Sequence, residues 1–157
     1  MNKLINSSGK LLIFPEDRKR IKNKKRKYDD KRIIVNVSYD FVKYYQWFLY
    51  KQYGIQLQSP EFMPHITITN GNEDFELNSK TLEYLESINN TYINFKYSNA
   101  IYTHWEFFSV LVYSKELDQI RSNLGLKNNI PFHITLGRKL KIDPVKNKTE
   151  LLTYFPY

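Results

Sequence analysis

Two stretches of this chain share one grammar. The first runs strand, "SYDF", helix, Gly54-Ile55, loop, and ends on "PHITIT" at 64–69. The second runs strand, "YSKEL", helix, Gly125-Leu126, loop, and ends on "PFHITLG" at 131–137. Strand–helix–strand written twice marks an internal duplication of two lobes, since a solenoid needs three or more repeats. The expected class is α+β, built from two pseudo-symmetric strand–helix–strand lobes.

Local periodicity fills in the elements. "KLLIF" (10–14) reads as a short strand ended by Pro15, and the β-branched "RIIVNVSY" (32–39) as a second. In "DFVKYYQWFLYKQYG", residues Phe41, Tyr44, Tyr45, Phe48 and Leu49 recur at helical spacing. Asp40 or Ser38 caps that helix and Gly54 stops it. Most of its aromatics, among them Tyr44, Tyr45, Trp47 and Phe48, are expected in the core. A loop with two prolines leads into the strand "HITIT", which Asn70-Gly71 closes. A short helix follows at 79–88, capped by Ser79 or Asn78, then strands at 91–98 and 104–113. The helix 114–125 has Ser114 as cap, Leu117, Ile120 and Leu124 inward, and Gly125 as stop. "FHITLG" is the last strand expected, before a polar, proline-broken tail.

At 157 residues, with 41% hydrophobic and 16% aromatic side chains, the chain is expected to be a single folded domain. Its first lobe covers about 10–78, its second about 79–140, and the tail 141–157. No run is apolar enough for a membrane span, and the N-terminus lacks the apolar core of a secretion signal. Without cysteine there is no disulfide framework and no thiolate metal site. A cytoplasmic protein is expected, with no membrane partner.

The net charge of +8 belongs to one block. Residues 18–32, "RKRIKNKKRKYDDKR", hold ten Lys/Arg and two Asp, and the rest of the chain is balanced. Like charges keep such a block solvated. It would still attract a polyanion, so a weak RNA contact is the partner it suggests.

The chemistry lies in the two His-Ile-Thr strings. Side chains in a strand alternate faces, so His65 shares a face with Thr67, and His133 with Thr135. Ile66, Ile68, Ile134 and Leu136 then point into the core. A lone strand histidine is commonly a surface or core residue. Composition alone, however, predicts only about 0.02 such His-apolar-Thr-apolar strings in a chain like this. If a pseudo-two-fold relates the lobes, both pairs meet at one cleft. Two imidazoles across a phosphodiester suit acid–base cleavage, because a pKa of about 6.5 lets either ring take or give a proton. The threonine hydroxyls can donate to non-bridging phosphate oxygens. Neither string carries the nearby Cys or second His that a metal site would want, so no metal and no cofactor are expected. His104, before Trp105, is expected to be structural or to sit at the rim.

Paired His-x-Thr-x strands at this separation resemble the two-histidine phosphoesterase superfamily, which includes cyclic phosphodiesterases and RNA ligase-like proteins. "DFVKYYQWFLYKQYGIQLQSPEFMPHITITNG" and "LDQIRSNLGLKNNIPFHITLG" are similar to the phage anti-CBASS phosphodiesterases, which destroy the cyclic oligonucleotide signals of bacterial antiviral immunity. The resemblance covers roughly 30–137 and leaves out the basic block. It implies antiparallel or mixed sheets lining a central cleft, with helices outside. It implies His65 and His133 as catalytic histidines and Thr67 and Thr135 as phosphate-binding threonines. It further implies metal-independent attack of a ribose 2′-hydroxyl on a 3′–5′ phosphodiester of a cyclic di- or trinucleotide such as 3′,3′-cyclic GMP-AMP. Aromatics and a C-terminal acidic residue clamp the bases in that family. Trp105, Glu150, Tyr154 and Tyr157 are the residues here that could match. Two further readings stand beside it: a phosphodiesterase for RNA 2′,3′-cyclic ends or 2′,5′-oligonucleotides, and a non-catalytic nucleotide sponge or RNA-binding protein. The sequence leaves open which histidine is base and which acid, the substrate's bases and ring size, and the oligomeric state.

Overall fold

The structure is a computed structural model and describes residues 2–15, 31–128, 131–140 and 149–154. In chain order the elements are β1 (Leu4–Ile13), β2 (Ile33–Asn36), α1 (Tyr39–Tyr53), β3 (Leu57–Gln58), β4 (His65–Thr69) and α2 (Ser79–Ile88). They continue with β5 (Tyr92–His104), β6 (Phe107–Tyr113), α3 (Lys115–Asn123), β7 (Phe132–Lys139) and β8 (Thr149–Tyr154). Residues 18–30 of the basic block 18–32 lie outside the described residues. Of its last two, Lys31 donates to the Phe75 carbonyl, and Arg32, expected in solvent with the rest of the block, is buried, its guanidinium over the Phe62 ring.

Helix boundaries follow local chemistry. Of the two caps the sequence allows for α1, Ser38 is the one used: its side chain accepts from the Asp40 N–H. Gly54, at φ +65°, ends the helix in the left-handed conformation that costs a Cβ-bearing residue more. Asn78 caps α2 through the Thr81 N–H, and Ser114 caps α3 through the Leu117 N–H. The buried stripe of α1 is Val42, Tyr45, Phe48 and Leu49. Tyr44 and Trp47, expected inside, are instead solvent-exposed. They lie round the helix from that stripe, which the sequence pattern made too wide.

All the strands join one sheet in which every pairing is antiparallel. The path β1-β2-β4-β7-β6-β5 closes on itself because β1 also pairs with β5. β3 pairs with β7 beside β4, and β8 pairs with the end of β5 that β1 does not reach. Three expectations change here. β1 starts at Leu4 rather than residue 10, because Asn6, Ser7, Ser8 and Gly9 pair along β5 instead of forming a loop. Gly9 permits this crossing, since a Cβ there would meet Asn36 O and Val35 Cγ1 on β2. β5 runs past the expected end at 98, through a register shift, to His104. The tail contributes β8, which borrows its pairing partner from β5.

One face of this barrel-like sheet carries the core. Ile66, Ile68, Phe95, Ile101, Val110, Val112, Ile134 and Leu136 are all buried there with Tyr45 and Leu49 of α1, Leu85 of α2 and Leu117 of α3. α1 packs on β7, α2 on β1, and α3 on β4 and β5. A closed ring of so few strands has room inside for side chains but not for helices, so the helices are outside. The helix-free face lines a central cleft. Among the described residues no helix is long and apolar enough to cross a membrane.

Candidate functional site

The cleft is organised by one register. β4 and β7 run antiparallel with Ile66 directly opposite Ile134. Both isoleucines are fully buried on the helix side. Their neighbours therefore point to the cleft, and the antiparallel count sets His65 opposite Thr135 and Thr67 opposite His133. An antiparallel pair has a local two-fold axis at its centre. Two copies of His-Ile-Thr centred on isoleucine are exchanged by that axis, so each imidazole gains the other copy's hydroxyl beside it. The two histidines lie on the diagonal, about 7–8 Å apart between backbones. That leaves space for a phosphate between the rings.

Both rings are held in the same way. His65 Nδ1 lies 2.7 Å from the Met63 carbonyl oxygen, and His133 Nδ1 lies 3.4 Å from that of Pro131. A carbonyl can only accept, so Nδ1 carries the hydrogen and Nε2 of the neutral ring keeps a lone pair. The two surroundings differ. His65 is half-buried, with the Phe62 ring edge-on at 5.3 Å, and the Arg32 guanidinium lies over that Phe62 ring, 4.5 Å from its centroid. His133 is exposed.

Directly paired strand residues share a face, so the cleft lining can be read from strand to strand. One row runs Lys10, Asn36, His65 and, with the Ile66–Ile134 register continued by one residue, Thr135, Ser109, Tyr102. The next sets His133 between Thr67 and Leu111. A third runs Arg138, Phe107, His104. Lys96, paired with Asn6 and Tyr113, is also on this side. Among the described residues of β1, β2, β4, β5, β6 and β7, this face carries no Asp or Glu. Arg138 is ion-paired with Glu106 of the β5–β6 hairpin, and the remaining cations on this face, Lys10 and Lys96, with the hydroxyls beside them, favour a polyanion.

Sequence reasoning missed Lys10, Asn36, Ser109 and Tyr102. Alternation signals that each faces away from the core, but only the register brings them beside His65. Trp105 sits at the β5–β6 hairpin with φ +57°, exposed, its ring stacked on His104 at 5.7 Å. His104 itself is on the cleft face, at the rim. Glu150 and Tyr154 belong to β8, in register with Thr103 and Ile101 of β5. Tyr157 lies outside the described residues. Among those residues no group of three His, Asp or Glu side chains is placed to hold a metal ion.

A family model described as the Swiss Army Knife, 2H phosphoesterase domain matches residues 36–142. The chain belongs to the 2H phosphoesterases. Phosphodiester hydrolysis is the chemistry that membership implies. No curated protein and no solved structure matches the chain. The match in this 2H phosphoesterase takes in both His-x-Thr strands, α1, α3 and the β5–β6 hairpin. β1 and β8, the two strands that pair along the same edge of β5, lie outside it.

Proposed function

We propose that this 2H phosphoesterase cleaves 3′–5′ phosphodiester bonds of cyclic di- and trinucleotides, such as 3′,3′-cyclic GMP-AMP, by two-histidine acid–base catalysis. The observation that carries the reading is the Ile66–Ile134 register, which gives both imidazoles and both threonines one face. A phosphodiester held on the diagonal meets one Nε2 on each side. One neutral ring takes the proton from the ribose 2′-hydroxyl as its oxygen attacks the adjacent phosphorus. The other ring, protonated, gives its proton to the departing 5′-oxygen. The product is a 2′,3′-cyclic phosphate, and water attacks it with the two roles reversed. Thr67 and Thr135 donate to the non-bridging oxygens as their charge grows. Nothing in this sequence of proton transfers asks for a metal ion.

The similarity to the phage anti-CBASS phosphodiesterases supports the choice of substrate, and so does a cleft face on which β1, β2, β4, β5, β6 and β7 present Lys10 and Lys96 and no Asp or Glu. In this reading Trp105 stacks on a base, and Glu150, Tyr154 and Tyr157 complete the base-binding side. The protein works in the cytoplasm, where such signals accumulate, and the basic segment 18–32 adds a weak polyanion contact. Purified protein incubated with 3′,3′-cyclic GMP-AMP in EDTA is expected to give linear product on chromatography. Recovery of intact ligand alone would instead mark a sponge. Exclusive turnover of 2′,5′-linked or 2′,3′-cyclic substrates would move the protein to another branch of the same chemistry.

A further inference from the structure

Arg121, on α3, is 3% exposed, and every one of its donors ends on a protein acceptor. Nε donates to the Lys127 carbonyl at 3.1 Å, and Nη2 to the same oxygen at 2.5 Å. Nη1 and Nη2 form a fork on Glu73, at 3.0 Å to Oε2 and 2.6 Å to Oε1. The second donor of Nη1 goes to the Ile68 carbonyl at 2.6 Å. Glu73 in turn accepts from the Asn70 N–H at 2.8 Å. A guanidinium used in this way has nothing left for a substrate phosphate, and its charge is balanced by Glu73.

Its place in the sheet is what gives it a role. Continuing the β4–β7 register past Ile66 and Ile134 would set Ile68 opposite Phe132. The ladder stops before that pair, and the Ile68 carbonyl takes its hydrogen from Arg121. The strands part here around a small cavity of about 140 Å³, lined by Thr67, Asn70, Arg121, Pro131 and His133 among others. One side chain thus ties β4, the turn after it, and the segment that leads from α3 into β7.

We infer that Arg121, clamped on Glu73, is a positioning residue that fixes the gap between Thr67 and His133. This role rests on the two-histidine reading of the site. With Arg121 in place, β4 and β7 pair at the isoleucines and stay apart one step later, so the His133 imidazole and the Thr67 hydroxyl flank an opening instead of a closed ladder. Lysine keeps the charge but not the fork, so Arg121→Lys separates geometry from electrostatics.

The test follows turnover of 3′,3′-cyclic GMP-AMP together with the histidine ring signals in NMR, three rings in all. Folded Arg121→Lys is expected to lose about 10²-fold in kcat, as for a misplacement of catalytic groups by about 1 Å, with KM nearly unchanged. Its His133 ring signals should move while those of His104 stay. Glu73→Gln keeps the shape of the acceptor, and should give the same pattern more weakly; it serves if the lysine variant does not fold. Wild-type kcat with unmoved His133 signals in either folded variant overturns the inference. If the wild type does not turn over this dinucleotide, the proposed substrate fails. The ring signals still decide the clamp: an unmoved His133 in both variants rejects it.

Discussion

Ile66 of β4 lies directly opposite Ile134 of β7, and both side chains are fully buried. This single pair converts two repeated strings into one site. Had the register slipped by one residue, one histidine would face the core and the other the cleft. The packing of two isoleucines against the helices therefore decides where the imidazoles point.

The threonines should matter to rate more than to stability. Thr67 and Thr135 are both half-buried on the cleft face, and valine preserves their shape. Thr67→Val or Thr135→Val is expected to lower kcat about 10²–10³-fold, the usual loss of one transition-state donor. Urea unfolding should show midpoints near wild type, which separates lost chemistry from lost fold.

Glu73 should make folding sensitive to acid. Burial alone would raise its pKa, but the hydrogen bonds from Arg121 and the Asn70 N–H, with the Arg121 charge, outweigh it and hold the carboxyl below its ordinary value. A carboxyl depressed in the folded state adds stability that is complete above its unfolded pKa of about 4.3. That stability is lost as pH falls through the lower folded value. Glu73→Ala should cost about 3–5 kcal/mol near neutrality, since it leaves Arg121 buried without its partner. Urea titrations across the acid range should find the variant's stability flatter there than the wild type's.

Gly137 is expected to tolerate no side chain. It lies at φ +154°, where β7 shifts register against β6. A Cβ there would sit 2.6 Å from the Gln58 carbonyl oxygen. Gly137→Ala should push β3 off β7 and cost about 1–3 kcal/mol, read as a lower urea midpoint at constant slope.

Trp105 is exposed at the β5–β6 hairpin, and the proposed function has it stack on a base of the substrate. It is 56% exposed and held by stacking on His104. Trp105→Ala should leave the melting temperature in place and raise KM for 3′,3′-cyclic GMP-AMP about tenfold or more, the loss of one stacked base. Steady-state kinetics with kcat and KM resolved separately check this.

What the sequence disclosed was what neighbours in the chain decide. Ser38, Asn78 and Ser114 sit at helix starts because their oxygens meet N–H groups two or three residues on. His65 and Thr67 share a face because a strand alternates. Distant pairings were hidden. Nothing near Asn6 or Ser8 says that β5 will accept them as a strand, and nothing near Arg121 names Glu73 or Ile68 as its acceptors. Tyr44 and Trp47 were misplaced for a related reason: periodicity orients a helix, but its neighbours decide how wide a stripe they cover. The candidate site was legible as two halves, and the residues around it, Lys10, Asn36, Ser109 and Tyr102, became visible only with the register.

The most direct test compares His65→Ala, His133→Ala and the double variant with the wild type on 3′,3′-cyclic GMP-AMP in EDTA. If the two strings form one acid–base site, each single substitution lowers kcat about 10²–10⁴-fold. The double variant then loses much less than the product of the two, because groups that act as a unit are not additive. Full turnover by the folded double variant would contradict the account.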